Sequence, residues 1–271
     1  ATAGPGLIVC LSVGLNFAKA LSLSLKKPFI AINHLEGHAL SPKLNFNIKY
    51  PYLLFLISGG HTQYVTVKKL GDYKRLGTTI DDALGEAFDK TAKLLDLGYP
   101  GGPIIEELAK KGNENRFMLP KPIFNRGGSN LSFAGLKTAI LRVKENIKTE
   151  KDKNDLAASF QKTITDILYK KTKKAIEQHL VLYPKNKTLI VAGGVAANKQ
   201  VRNTIRKLCQ EENFNLYFPD LKYCTDNAAM IALAGLERFK KRKFDKHNFE
   251  ANPRWQLDEK AKFLKGAGVK I

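Results

Sequence analysis

The chain has 271 residues, 44% of them hydrophobic, so it can bury a substantial core in one large domain or two lobes. A net charge of +20 predicts a polyanionic partner, either nucleic acid or an anionic surface. No apolar run approaches the ~20 residues of a membrane span. The three cysteines form no Cys-x-x-Cys pair, which favours a reducing compartment.

The first third of the chain is predicted to contain one long helix and several short strands. Apolar spacing predicts a helix over 7–25, a strand over 28–32, a buried strand over 51–58 and a partner strand over 62–67. Gly59 and Gly60 lie between the last two strands. We therefore expect a hairpin with these glycines at its tip.

The rest of the chain alternates between helical and strand patterns. Helices are predicted over 81–95, 104–111, 153–179, 196–212 and 225–240, and strands over 188–192 and 215–218. Residues 121–130 are predicted to be a loop, and the tail from 248 to be irregular. The lysines within 170–174 are expected to solvate the long helix. This order indicates an α/β fold with mixed sheets.

His34 and His38 are the first candidate metal ligands, because imidazoles four residues apart lie on one face of a helix. Such pairs also arise by chance on solvated faces. Asp226, at the predicted start of the last helix, has two interpretations. It is either the N-cap of that helix or a third, oxygen ligand that completes a His2Asp set with open positions.

Two glycine turns follow predicted buried strands, one at Gly59-Gly60 and one at Gly193-Gly194. Without Cβ atoms, such turns allow backbone N–H groups to approach a phosphate or acyl oxygen. The second turn leads into a helix start, which suits a phosphate, and Asn198 is expected inside the first helical turn. An ordinary hairpin turn remains the alternative for Gly59-Gly60, whereas the two turns together fit the facing phosphate loops of a bilobal nucleotide-binding fold.

Acidic residues mark the helix predicted over 81–95. Asp81, Asp82 and Glu86 suit its N-terminus electrostatically. Asp89 lies two turns into the helix, and Glu106 follows the turn at 98–103. Both are candidates to contact a ligand hydroxyl.

Together, these motifs closely resemble the TsaD family, the tRNA adenosine threonylcarbamoyltransferases once called O-sialoglycoprotein endopeptidases. The resemblance is carried in family order by Thr2-Ala-Gly-Pro-Gly-Leu7, His34-Leu-Glu-Gly-His38, Ser58-Gly-Gly-His-Thr-Gln63 and Asp81-Asp-Ala-Leu-Gly-Glu-Ala-Phe-Asp-Lys-Thr-Ala-Lys93, then by Tyr99-Pro-Gly-Gly-Pro103, Gly135-Leu-Lys-Thr138, Ala192-Gly-Gly-Val195, Cys224-Thr-Asp-Asn227 and Pro253-Arg-Trp255. It covers nearly the whole chain.

The resemblance implies an actin/Hsp70/sugar-kinase-like fold with two lobes around a nucleotide cleft. It implies that residues 1–50 form the remainder of the first lobe, 51–222 the second lobe, 223–247 a helix returning to the first lobe and 248–271 a C-terminal tail. The implied reaction moves threonylcarbamoyl from its adenylate, threonylcarbamoyl-AMP, to N6 of adenosine 37 in tRNAs that read codons starting with A.

The resemblance also implies the site residues. His34, His38 and Asp226 would bind one divalent metal ion, Fe²⁺ in the first place and Zn²⁺ as the alternative. No catalytic residue is assigned beyond these ligands. The residues expected to hold the adenylate are Ile57, Ser58, Gly59, Gly60, Asp89, Gly102, Glu106 and Asn198.

The implied partners are tRNA and either TsaB-like and TsaE-like subunits or a second copy of the chain, with helix 7–25 helping to dock a protein partner. No membrane partner is implied. The expected location is a bacterial-type cytoplasm, with an organelle matrix as the alternative.

The chain departs from the family pattern at two places. The strand and phosphate loop that normally precede Thr2 have no counterpart, so the start of the first lobe is expected to be missing, and the chain to be impaired if it is complete. Ala134 replaces the serine of the common Phe-Ser-Gly.

Two other functions remain open from the sequence. One is a catalytically inactive subunit that binds tRNA or a protein partner. The other is an ATP-dependent phosphotransferase, against which the His pair argues because Mg²⁺ prefers oxygen ligands. A peptidase is disfavoured, since the chain has neither His-Glu-x-x-His nor a nucleophile elbow.

Overall fold

The computed structural model describes residues 1–262, so the last part of the predicted tail, 263–271, lies outside the described residues. The helices are α1 (Ile8–Ser24), α2 (His34–Leu40), α3 (Leu84–Leu94), α4 (Gly101–Ala109), α5 (Ala134–Lys144), α6 (Glu150–Leu182), α7 (Lys199–Glu211) and α8 (Ala228–Lys240). The strands are β1 (Thr2–Gly4), β2 (Ile32–Asn33), β3 (Tyr52–Ile57), β4 (Thr62–Lys69), β5 (Asp72–Thr78), β6 (Thr188–Ala192) and β7 (Asn215–Tyr217). Short 3-10 helices occur at Ser41–Leu44, Gly194–Ala197 and Leu221–Tyr223.

The main sheet has five strands in the order β5-β4-β3-β6-β7. β4 is antiparallel to β3 and β5, whereas β3, β6 and β7 run parallel. A second, two-stranded sheet pairs β1 with β2 in parallel. The predicted α/β class with a mixed sheet is confirmed.

β3 lies at the centre of the main sheet, and all six of its residues are buried because both faces of the sheet are covered. Leu53, Phe55 and Ile57 contribute to the larger core, which includes the buried face of α6. Their neighbours along the strand point the other way, into a smaller core that includes Leu35 and Ala39 of α2. The sheet therefore supports α2 on one face and α6 on the other.

The glycine turns meet at one edge of this sheet. β3 and β6 are adjacent and parallel, so their carboxyl ends lie side by side. Gly59 follows β3, and Gly193 follows β6. Strand pairing alone thus brings together two motifs separated by more than a hundred residues in the sequence.

α8 packs closely against α2, far away in the sequence. A Cβ atom added to Gly37 would lie 2.8 Å from Ile231 Cδ1 and 3.2 Å from Met230 Cγ. The absence of a side chain at Gly37 therefore allows the two helices to approach closely. This contact places the segment before α8 beside the His pair.

Asp81 has a different role from the predicted one. Its helix, α3, begins only at Leu84, and Asp81 Oδ1 accepts hydrogen bonds from Phe133 N and Ala134 N at 2.7 and 3.2 Å. The carboxylate therefore caps α5, a helix that the sequence analysis did not predict. Asp81 stabilises the N-terminus of α5 both by hydrogen bonding and by its negative charge.

Two further predictions were wrong. Residues 28–32 form strand only at Ile32, since Phe29 makes an isolated bridge to Asp245 and the amide of Ala31 donates to the Asp245 carboxylate. Lys171 does not solvate α6. It is buried and donates to the carbonyl of Arg126 at 2.8 Å, which ties the predicted loop to the helix.

Candidate metal centre and nucleotide cleft

The side chains of His34, His38 and Asp226 converge on one point. The Nε2 atoms of His34 and His38 lie 3.2 and 3.0 Å from the same carboxylate oxygen, Oδ1 of Asp226. The two imidazole rings meet edge to face, with centroids 4.8 Å apart. The predicted convergence is confirmed, although 188 residues separate His38 from Asp226.

Local capping explains how the three side chains reach this geometry. Asn33 caps α2 by accepting a hydrogen bond from Leu35 N at 2.9 Å, so the helix begins at His34 and both histidines share one face. Asn227 caps α8 by accepting from Met230 N at 2.9 Å. The N-cap interpretation of Asp226 is therefore wrong, and its carboxylate is left to face the imidazoles.

The donor set fits a divalent transition metal. Hydrogen bonding to His34 and then to His38 lowers the pKa of Asp226 well below its ordinary value, so the carboxylate is ionised at neutral pH. Two imidazole nitrogens and one carboxylate oxygen suit Fe²⁺ or Zn²⁺. Ligands at ~2.1 Å from a tetrahedral or octahedral ion are about 3.0–3.4 Å apart, and the observed 3.0 and 3.2 Å fall in this range.

His61 is a further imidazole near this centre, and the sequence analysis did not include it among the site residues. Burial lowers its pKa to about 4, with an additional contribution from His34 and His38. It is therefore a neutral imidazole at neutral pH. The backbone N–H of His61 donates to Ser58 Oγ at 3.0 Å, and the backbone carbonyl of His61 accepts from Ser58 N at 2.8 Å, which closes the glycine turn.

The two glycine turns are in contact. A Cβ added to Gly193 would lie 2.4 Å from the carbonyl oxygen of Ile57, and one added to Gly85 would lie 2.8 Å from Gly59 Cα. Gly193 also has φ of +100°, a conformation that favours glycine. This contact agrees with the expectation that the two turns belong to one nucleotide-binding fold.

Asn198 lies beside the second turn. The sequence analysis expected it inside the first turn of the helix, but it lies just before the helix begins. The 3-10 helix Gly194–Ala197 precedes it, and Asn198 is the N-cap of α7, accepting from Val201 N at 3.0 Å. Its amide donates to Gln161 Oε1 at 3.1 Å. One N–H of the amide and one lone pair remain for a ligand.

Asp89 and Glu106 connect the helices around the cleft. Asp89 Oδ1 accepts from Gly101 N at the start of α4, at 2.8 Å. Glu106 Oε1 accepts from Lys199 N at the start of α7, at 2.7 Å. Gly102 faces open space, since a Cβ there would meet nothing within 4 Å. The two carboxylates thus hold α3, α4 and α7 at one end of the molecule.

A groove of about 550 Å³ opens at this end between Gly59 and α3. Asp89, Lys93 and Tyr99 line it, and Tyr99 is 85% exposed. The groove combines flexible glycine backbone, a carboxylate, a cation and an aromatic ring, which are the groups that bind nucleotides.

These features define a class of protein. A mixed sheet whose parallel strands end in adjoining glycine turns is the arrangement of the actin/Hsp70/sugar-kinase-like fold, as predicted. Two solved structures resemble it: full-length HypF in the phosphate- and nucleotide-bound form, with a TM-score of 0.62, and HypF of T. kodakarensis, with 0.59. They are 13% and 17% identical to the chain, cover 83% of it, and are themselves covered over 38% and 39%, so they show the fold alone.

The chain belongs to the TsaD family of tRNA N6-adenosine threonylcarbamoyltransferases, whose family model matches residues 1–233. The enzyme of that name from Pelagibacter ubique is 64% identical over the whole chain, and that of Rickettsia rickettsii 53% identical over 96% of it. The Brucella suis enzyme is 51% identical over 99%. The chain spans 76% of the length of each of these relatives.

Within residues 1–262, no helix combines the length and the apolar character needed to cross a bilayer.

Proposed function

We infer that the protein transfers the threonylcarbamoyl group to N6 of adenosine 37 in tRNAs that read codons starting with A. Family membership supports the reaction class. The observation that carries the assignment is the convergence of His34, His38 and Asp226 in a fold that also brings the two glycine turns together. A metal-type donor set and a nucleotide-type backbone together suit transfer from an acyl adenylate.

The cleft residues bind and orient the adenylate in this proposal. Backbone N–H groups at Gly59 and Gly60 approach its phosphate, because a Cβ atom added to either glycine would meet nothing within 4 Å and that side of the turn is therefore open. In the same proposal, Asp89 and Glu106 accept hydrogen bonds from hydroxyls of the ribose through the carboxylate oxygens that do not contact Gly101 N and Lys199 N. Asn198 holds the start of α7 in position and offers its remaining amide N–H.

His34, His38 and Asp226 would hold one divalent metal ion, which we propose to be Fe²⁺, with Zn²⁺ as the alternative. When bound, the ion supplies Lewis-acid stabilisation of the negative charge that develops on the threonylcarbamoyl oxygens. The protein keeps the Asp226 carboxylate ionised and orients both imidazoles towards it.

The remaining chemistry requires little from the protein beyond positioning. Threonylcarbamoyl-AMP is a mixed anhydride, so AMP leaves readily when the exocyclic amine of the adenosine attacks the carbonyl carbon. Single-stranded tRNA loops can present an unstacked base, and holding it near the carbonyl accounts for much of the rate. The net charge of +20 supplies contacts to tRNA phosphates.

The proposed protein partners are TsaB-like and TsaE-like subunits or a second copy of the chain. α1 supports this proposal, because Val9, Val13 and Phe17 on its surface are about 70% exposed. We further propose that the protein acts in a bacterial-type cytoplasm.

The test is transfer of radiolabelled threonylcarbamoyl from its adenylate to unmodified tRNA, with the partner proteins supplied. We expect Asp226→Asn and His38→Ala to lower the rate at least about 100-fold, since each removes a donor from a three-ligand site. Asp96→Asn is the matched control, because Asp96 is an exposed acid paired with Lys144. Equal rates for Asp226→Asn and the control would contradict the proposal.

A further inference from the structure

Glu36 lies between the two histidines in sequence and is 1% exposed. Its carboxylate accepts two hydrogen bonds from Arg238 near the end of α8: Nε to Oε1 at 3.1 Å and Nη2 to Oε2 at 2.6 Å. The Arg238 side chain is itself 17% exposed. A two-point contact between a planar guanidinium and a carboxylate restricts both distance and orientation, which a single contact does not.

The ion pair lies on the opposite side of α2 from the His pair. Residues four apart share a helix face, and Glu36 is two positions from each histidine, so it points away from them. Glu36 and Arg238 instead line a polar cavity of about 380 Å³ together with Trp255. α2 is therefore held on two sides by one stretch of chain, by Asp226 before α8 and by Arg238 near its end.

Few apolar side chains of α8 are fully buried. Met230 and Ala234 are its buried residues within a helix of 13, and Ile231 is partly buried beside them. Met230 and Ile231 also contact α2 at Gly37. Apolar contacts are non-directional, so they restrict the register and rotation of the helix less than a two-point ion pair does. Asp226 precedes the helix, its side chain is 74% exposed, and the two imidazoles are its described partners, so its position depends on where α8 lies.

We propose that Glu36 and Arg238 are positioning residues that fix the register and rotation of α8 on α2, so that Asp226 meets both imidazoles. The proposal rests on the metal site proposed above. Neither residue belongs to the donor set of the proposed metal site or lines the groove at Gly59. Replacing a buried ion pair with apolar side chains is often neutral for stability, so we expect the pair to contribute to geometry rather than to stability.

The experiment compares metal affinity with folding stability in five forms of the full chain. These are the parent, Arg238→Lys, the double variant Glu36→Leu/Arg238→Met, Arg116→Lys and Asp226→Asn. Arg116 is the matched control, because it bridges Asp152 and Asp155 with its guanidinium and lies on no element of the metal site. Zn²⁺ affinity is measured by competition with a chromophoric chelator, Co²⁺ geometry by its d–d absorption, and stability by thermal unfolding of the metal-free protein.

We expect Arg238→Lys to lower Zn²⁺ affinity about 10- to 100-fold, the range found when groups that orient metal ligands are lost. Its Co²⁺ spectrum should shift, and Arg116→Lys should change neither measurement. The double variant should unfold at a temperature near that of the parent and still bind Zn²⁺ weakly. Loss of affinity without loss of stability is the result that a merely structural ion pair would not produce.

Two outcomes would overturn the proposal and are distinguishable from failure of the metal site. Parent-like Zn²⁺ affinity in Arg238→Lys, or recovery of affinity together with stability in the double variant, would overturn the positioning role alone. If the parent binds Zn²⁺ no more tightly than Asp226→Asn does, the metal site itself is wrong, and this proposal fails with it.

Discussion

Asp226 and Asn227 are neighbours with separate tasks. Asn227 satisfies an orphan N–H at the start of α8, which leaves the adjoining carboxylate for the imidazoles. At the scale of the residue, the site is thus defined by which polar atoms already have protein partners. The same accounting assigns Asp81 to α5 and leaves part of the Asn198 amide for a ligand.

His61 gives a prediction on pH. Its pKa is about 4 in the folded protein and 6.5 ordinarily, so the unfolded chain binds the proton more readily between these values. The free energy of unfolding therefore falls as pH drops through 6.5 and levels off near 4. Between pH 7 and 5 we expect the metal-free parent to lose about 2 kcal/mol more than His61→Gln, measured by urea unfolding. Parallel pH profiles for the two proteins would show that His61 is not responsible.

The cysteines should differ in reactivity. Burial raises the pKa of Cys209 to about 12 and also raises that of Cys224, whereas Cys10 is exposed on α1. Because the thiolate is the reactive form, a maleimide at neutral pH should label Cys10 and spare the other two. Mass spectrometry of the native protein, with a urea-unfolded sample as the control, measures this. Rapid native labelling of Cys209 would contradict the packing around it.

At the scale of the element, the site depends on where strands and helices end. β3 and β6 deliver their glycine turns to one edge because they are parallel neighbours, and α7 and α8 begin at asparagine caps beside that edge. α2 is short, and it is positioned by packing on the sheet and on α8 rather than by its own length.

A substitution at Gly193 tests the contact between the two glycine turns. In Gly193→Ala, the added Cβ would meet the Ile57 carbonyl at 2.4 Å, and φ of +100° is strained for alanine. We expect the free energy of unfolding to fall by at least about 2 kcal/mol. Gly194→Ala is the matched control in the same turn, since its Cβ would meet its nearest neighbour only at 4.0 Å. Equal stability of the two variants, measured by urea unfolding, would contradict the described contact.

At the scale of the whole molecule, the fold and the net charge have different roles. The sheet and its helices form a cleft in which the chemistry is local. The excess of 45 Lys and Arg over 25 Asp and Glu gives a net positive charge that attracts a polyanion over a longer distance. Many of these cations, such as Lys144 and Lys174, are in surface ion pairs that contribute little to stability.

The affinity for tRNA should depend strongly on salt. For roughly six phosphate contacts we expect Kd to rise about 10²- to 10³-fold between 50 and 200 mM KCl, because binding releases counterions. Fluorescence anisotropy with labelled tRNA measures the slope, and a neutral osmolyte at matched osmolality serves as the control. A slope near zero would show that the net charge of +20 has no role in tRNA binding.

The sequence by itself determined the elements and motifs whose signal is local. The continuous apolar run of β3, the long amphipathic α6, both glycine turns and the i, i+4 His pair follow from side-chain periodicity and backbone freedom over a few residues. β5 was missed because its burial is irregular and it contains a glycine.

Only the tertiary structure decided which polar groups meet. The contact of Glu36 with Arg238 spans 202 residues, and no local pattern encodes it. The contact of His38 with Asp226 spans 188 residues; the sequence offered Asp226 as one of two interpretations and through the family resemblance, and the packing of α8 on α2 decided between them. Lys171, one of several similar lysines, is buried because a loop carbonyl lies within reach of its ammonium group. The physical reason is the same in each case: periodicity specifies a face, whereas the partner on that face depends on how separate elements pack.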